Sequence, residues 1–227
     1  MTKLTLFVLT VLVSTSLSAQ SVFFPTQPGT VILHQQTDAD GNVTGYQRHT
    51  ITSVSGSDSN MTIEYLIENM DENWQVTLEI PGITHVRDGR MIFDIEQMIA
   101  PHLHRAGMEL DVEFEGTFME MPVSFSPGQR FPDTEGTIRI GRGVLGMRVR
   151  MSVTDASCLA IEEVDVPAGT FTAHQITQTI NSTVLMRTTR TRLVSWMVPG
   201  IGTVKSRTYD NRDRLQSVSK LVEISRP

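Results

Sequence analysis

The stretch MELDVEFEG, Met108 to Gly116, places Glu109, Asp111, Glu113 and Glu115 at every second position, with Leu110, Val112 and Phe114 between them. Successive side chains of a β-strand point to opposite faces of a sheet, so a period of two describes a half-buried strand, apolar toward a core and acidic toward solvent. Like charges along one face repel, and cations on adjacent strands must offset them. MRVRM, with Arg148 and Arg150, and RTTRTRL, which starts at Arg187, are the segments that offer such cations. Changing Arg148 and Arg150 to Glu is therefore expected to weaken the fold, whereas the same change at loop residue Arg212 is not.

Outward from this stretch the same period recurs, and strands are expected at 31–36, 44–54, 61–69, 73–80, 117–125, 136–141, 146–155, 158–166, 170–181, 183–197, 202–209 and 214–224. DADGN (38–42), PAG (167–169) and DNRD (210–213) are rich in residues that tolerate positive φ or bond to their own backbone, so each reads as a hairpin connection. Strands joined by short hairpins form an antiparallel meander. A single flat sheet of a dozen strands would leave long edges open, so the expected class is all-β, mainly antiparallel, with a curved sheet closing into a barrel or half-barrel. DIEQMIAPHLHRAG is the exception: its three- and four-residue apolar spacing predicts one short helix near 94–106, capped by Asp94 and ended at Gly107.

At 227 residues, 39% apolar and 19% charged, the chain has the composition of a globular protein. Residues 1–19 read as a signal peptide: Lys3 is the positive head, Leu4 to Val13 the apolar run, and Ser16, Ser18 and Ala19 the small residues at the cleavage point. The run is too short to span a bilayer. The expectation is thus an exported protein, periplasmic or extracellular after cleavage, with residues 20–227 as one β-barrel-like domain and no transmembrane segment in the mature chain. Cys158 is the single cysteine, so no internal disulfide staples the fold, and its apolar surroundings SCLAI mark a buried, inert thiol.

The net charge of −6 is unevenly spread: residues 20–186 carry 9 basic and 22 acidic side chains, residues 187–227 carry 9 and 3. Nucleic-acid binding would need stacking aromatics within the basic end, which holds only Trp196 and Tyr209, so no nucleic-acid partner is expected and the basic strands are expected to pair with acidic ones in the same sheet.

GRGVLG spells a G-x-G-x-x-G through Gly141, Gly143 and Gly146, but the alternating MRVRMSV follows where a phosphate-binding turn needs a helix. His102 and His104 lie two apart on the expected helix and point away from each other, so with Asp94 and Glu96 they form no metal site. No nucleophile elbow, zinc-protease helix, P-loop or C-x-x-C is present. The expectation is no catalytic residue, no metal and no cofactor. Eleven methionines beyond Met1, among them Met70, Met91, Met121, Met147, Met151, Met186 and Met197, suit either core filling or the wall of a permissive apolar cavity.

Three segments, PVSFSPGQRFPD (122–133), VDVPAGTFTAHQI (164–176) and WMVPGIGTVKSRTYDNRDRLQSVSKLVEI (196–224), resemble the blocks of the exported bacterial proteins grouped as domain of unknown function 3108-like. The resemblance implies a signal-bearing, β-barrel-like cell-envelope protein and no assigned reaction. The motif residues it singles out are Pro167, Gly169, Phe171, Trp196, Pro199, Gly200, Gly202 and Lys205. Gly169 permits a tight turn, Phe171 pins that hairpin, Pro199-Gly200 makes a corner, and Gly202 allows a bulge or close approach. The final turn departs from the family pattern, with Asn211-Arg212-Asp213 in place of a glycine turn. The reading that follows is a non-enzymatic envelope protein binding an apolar or amphiphilic ligand, such as a lipid, in a barrel interior. The alternatives are an interaction protein that meets an envelope partner through a sheet edge or apolar patch, and a secreted hydrolase.

Overall fold

The computed structural model describes residues 22–57, 59–94, 112–116, 120–141 and 147–227. The expected leader, the expected helix near 94–106 from Ile95 onward, with His102 and His104, and Met108 to Asp111 of MELDVEFEG lie outside them. Thirteen strands run in chain order: β1 (Val31–Asp38), β2 (Val43–Ser57), β3 (Asn60–Met70), β4 (Val76–Arg87), β5 (Arg90–Phe93), β6 (Val112–Gly116) and β7 (Glu120–Pro122), followed by β8 (Thr134–Ile140), β9 (Met147–Val166), β10 (Gly169–Val184), β11 (Arg187–Val198), β12 (Gly202–Tyr209) and β13 (Leu215–Ser225). They form one antiparallel sheet in the order β6-β8-β9-β10-β11-β12-β13-β1-β2-β3-β4-β5-β7. No helix among the described residues is long and apolar enough to cross a membrane.

Chain connectivity shows that this sheet is rolled. Laid flat, thirteen strands at about 4.8 Å spacing would separate the edge strands β6 and β7 by roughly 58 Å. Yet Gly116 ends β6 and Glu120 begins β7, and a four-residue step spans at most about 14 Å. The two edges therefore approach one another at that end, and among the described residues they do not pair, which makes an open, barrel-like roll. The core agrees: Ile51, Ile63 and Met91 of β2, β3 and β5 share a cluster with Cys158 and Ile176 of β9 and β10, on the far side of the sheet order. A second cluster, with Ala173, Val194, Trp196, Val204 and Leu221, fills the end where the β9–β10 turn meets β13 through Ala168 N–H to Leu221 O at 3.2 Å.

Three hairpins use one device. Asp38, Asp71 and Asp210 each accept backbone N–H bonds from the residues two and four further on. In each, the fourth residue has positive φ: Gly41 at 89°, Trp74 at 65° and Asp213 at 57°. The carboxylate replaces a backbone acceptor and holds the turn, which is how DNRD closes without glycine. At Trp74, stacking on Tyr46 with centroids 3.8 Å apart offsets the unfavourable backbone.

Several strands differ from expectation. The segments 146–155 and 158–166 are one twenty-residue strand, β9, bent by register shifts where Leu159 is left unpaired and near Asp155, whose φ is 55°. Bulges bend a strand, as a rolled sheet requires. Strand β5 escaped notice because only four residues separate a two-residue turn, Asp88-Gly89, from Asp94. The β10–β11 turn is Leu185-Met186, both at positive φ without a glycine, asparagine or aspartate to announce it.

The cations opposite the acidic strand are also different. β6 pairs with β8, so Arg139 sits beside Glu113 at 3.7 Å and Glu115 at 3.0 Å. Arg148 and Arg150 lie one strand beyond, and Arg148 directly opposes Arg139. The destabilisation expected of Arg148→Glu is thereby reversed. That substitution replaces a like-charge pair by an opposite one, and it is expected to be neutral or stabilising by a few tenths of a kcal/mol; Arg139→Glu should cost about 0.5–1 kcal/mol, since its pairs are exposed. Urea midpoints of the two variants decide it, and a loss for Arg148→Glu larger than for Arg139→Glu would refute this assignment. Two ion pairs of the basic end likewise stay within that end, Arg192 with Asp213 and Arg214 with Asp210, rather than reaching the acidic body.

Candidate functional site

Among the described residues, three adjoining chambers on the inner side of the roll concern the site. The apolar one, about 240 Å³, is walled by Phe23, Phe24, Tyr65, Phe93, Ile51 and Met197 among others. A second, about 250 Å³, shares Phe93 and Met197 with it and adds Met121, Phe131 and Ile176. A third, about 300 Å³, is polar, lined by Gln36, Gln47, Ser195, Ser206, Thr208 and Ser219 with their neighbours. Thr203 belongs to all three, and His34 lines both the apolar and the polar chamber. Each is near the lower end of the range for small-molecule cavities, and their shared walls place the group well inside it.

Sequence builds these walls through the period of two. Ile32, His34 and Gln36 alternate along β1, and Gln47, His49 and Ile51 along β2, so the same side of the sheet passes from apolar to polar along each strand. His34 is 7% exposed and its Nε2 lies 2.7 Å from Thr203 O, an acceptor only, so Nε2 carries the proton. Its Nδ1 is buried with no partner. His49 contacts the His34 ring edge-on at 5.8 Å and bonds through Nε2 to Gln47 Oε1 at 2.8 Å, and Gln47 in turn donates to Asn69. Desolvation lowers both imidazoles, His49 to about 3, with the neighbouring His34 adding to the effect there. Both are neutral at physiological pH. The charged side chain in the three linings is Glu120, whose carboxylate accepts a 2.9 Å bond from Arg90.

The motif residues serve the frame of this site. Gly200 N–H donates to Val22 O at 2.8 Å, and Gly202, at φ 94°, lies so near Phe23 O that a Cβ would come within 3.4 Å of it. The Pro199–Gly202 corner thus fastens the segment that carries Phe23 and Phe24 over the apolar chamber, and Gly202 itself lines that chamber. Phe23 stacks on Phe125 of the first block at 4.2 Å. That block also straps β9, through Gly128 N–H to Cys158 O and Phe131 N–H to Ala156 O. Trp196 and Lys205 come together elsewhere: the indole N–H donates to Glu162 at 2.6 Å and Lys205 Nζ lies 4.9 Å from the ring centroid. Pro167, Gly169 and Phe171 form the β9–β10 turn at the second core cluster, away from the chambers.

His34, His49, Thr203 and the Ser/Thr lining were missed by the sequence reading, although VILHQQ and YQRHTI place both histidines in step with inward isoleucines. Of the methionines, Met121 and Met197 line chambers, Met70 and Met91 are core, and Met186 is fully exposed at a hairpin tip. The rings of Phe23, Phe24, Tyr65, Phe93 and Phe131 line the apolar chambers beside them. Cys158 is 1% exposed and burial pushes its thiol up, which keeps it a packing residue. Thr62 Oγ1 and His85 Nδ1 stand 3.1 Å apart as a cross-strand pair of β3 and β4. Among the described residues no group of three His, Cys, Asp or Glu is disposed to hold a metal ion.

An open antiparallel roll around a cavity graded from aromatic to hydroxyl-lined is the class that fold and site define. The chain belongs to the DUF3108-like family, which matches residues 27–221. Two solved structures share the fold. A "putative exported protein with YmcC-like fold" from Bacteroides fragilis superposes with a TM-score of 0.69 at 24% identity, covering 91% of this chain and 100% of that one. A "putative lipoprotein" from Parabacteroides distasonis gives 0.70 at 20% identity, with 90% and 99% covered. No curated protein matches the chain.

Proposed function

We propose that this chain is an exported, non-catalytic cell-envelope protein that holds one amphiphilic molecule inside its rolled sheet. The observation that carries the reading is the gradient of the cavity wall: four aromatic rings at one end and uncharged polar side chains at the other, meeting at His34 and Thr203. An apolar cavity with a few placed polar groups is the usual form of a small-molecule site. Export is supported by the leader-like residues 1–19 and by the two structural neighbours, a "putative exported protein" and a "putative lipoprotein". The non-catalytic part is supported by the histidines of the cavity, whose bonds go to a backbone carbonyl and to an amide rather than to a hydroxyl–carboxylate pair.

The interaction reading retains one observation in its favour: Leu159 and Ile161, beside the β9 bulge, are 51% and 46% exposed. Native mass spectrometry of protein purified from its own host separates the two. A mass increment of a few hundred daltons, lost on organic extraction, is the expected result. An unadorned mass together with no uptake of any amphiphile added back would overturn ligand binding in favour of a protein partner.

A further inference from the structure

The polar chamber has a second property, which rests on the ligand-binding reading just given and sharpens it. Ser195, Ser206, Thr208, Ser217, Ser219 and Gln36 all line it, and none of their side chains has a hydrogen-bond partner among the described residues. They come from four strands, β11, β12, β13 and β1, which the register brings side by side: Ser195 opposite Ser206, Ser206 opposite Ser219, Ser219 opposite Gln36. Each hydroxyl can donate one bond and accept two. A row of unused donors and acceptors in a concavity complements a ligand that itself carries several of both.

Charge narrows the class. Among the described residues no Lys, Arg, Asp or Glu lines this chamber, and His34 at its border keeps Nε2–H committed to Thr203 O. An anionic head would find no cation here, and a cationic head no anion, so either would lose hydration without replacement. An uncharged head bearing several hydroxyls loses little, because each lost water bond is exchanged for one to Ser, Thr or Gln. We infer that the ligand is an amphiphile with a neutral polyhydroxylated head, of the alkyl glycoside or monoacylglycerol kind, its head on the Ser195–Ser206–Ser219–Gln36 row and its tail against Phe23, Tyr65 and Phe93.

Isothermal titration calorimetry of the full mature chain, below the critical micelle concentration of each probe, tests this. The probes are dodecyl maltoside, dodecanoate, dodecyltrimethylammonium and free maltose. Dodecyl maltoside is expected to bind at least tenfold tighter than its two charged counterparts and than maltose. Replacing Ser195 and Ser219 together by Val, neither being engaged within the protein, should bring the maltoside down to the level of dodecanoate while dodecanoate itself is unchanged. Charged amphiphiles that bind as well as the maltoside would overturn the neutral-head inference and leave the ligand-binding reading standing. Binding of maltose as tight as that of the maltoside would overturn the use of the tail. No binding by any of the four would overturn both.

Discussion

Gly82→Val is expected to destabilise the protein by about 3 kcal/mol, near the upper end of what overpacking costs, and to destroy the apolar chamber in the same step. Gly82 of β4 lies directly across from Tyr65 of β3, and the ring covers it so closely that a Cβ would fall 2.3 Å from the Tyr65 Cε2 atom. The ring cannot simply swing away. It is 4% exposed, packs against Phe24 at 5.0 Å, and its hydroxyl lies 3.5 Å from Thr84 Oγ1. A valine at position 82 therefore forces the phenol into the space that Phe24 and Ile51 border. Chemical denaturation gives the energy, and uptake of dodecyl maltoside or an environment-sensitive apolar dye gives the state of the chamber. The double variant Tyr65→Leu with Gly82→Val should regain more than half of the loss, because the clash is with the ring. Additive losses in that cycle would show that the two residues do not couple and that the chamber has been misread.

Acid should unfold this protein earlier than its carboxylates require. The folded pKa of His49 is about 3 and that of His34 is lowered as well, both through desolvation, against 6.5 in an unfolded chain. Below pH 6.5 the unfolded state therefore binds more protons than the folded state. The stability these groups contribute is complete above pH 6.5 and is lost as pH falls toward 3. For His49 the slope approaches about 1.4 kcal/mol per pH unit, and His34 and His174, lowered by desolvation as well, add to it with the same sign. Glu68, held low by its hydrogen bonds to Arg48, has the same sign but acts only below the ordinary carboxylate range, so the interval from 6.5 to about 5 belongs to the imidazoles. Urea midpoints at pH 7.5, 6 and 5 should fall steadily, and His49→Gln should make the descent shallower. A midpoint that is constant across that interval would contradict the burial of these rings against Thr203 and Gln47.

Both expectations concern residues that the sequence alone did not single out. Gly82 and Tyr65 are seventeen positions apart and become neighbours only once β3 and β4 pair in one register. His34 and His49 sit in ordinary alternating strands, and nothing local distinguishes an inward histidine from an outward one. By contrast, the turns DADGN, PAG and DNRD were legible because their chemistry acts within five residues, and the Pro199–Gly202 corner because proline and glycine restrict or free the backbone where they stand. Arg148 illustrates the limit between the two. The need of the acidic strand for a cation could be read from its own charges, but which arginine answers depends on strand order, and β8 intervenes.

What the amino-acid order determined by itself is the strand as the recurring unit, the antiparallel connections, the want of any disulfide and the family blocks, since each follows from period, turn chemistry or composition over a few residues. Tertiary structure alone decided that thirteen strands roll until β6 and β7 approach, and that Ser195, Ser206, Ser219 and Gln36 form one polar wall beside an aromatic one. Register and curvature are sums over many long-range pairings, in which a single bulge such as that at Leu159 changes which residues face the interior.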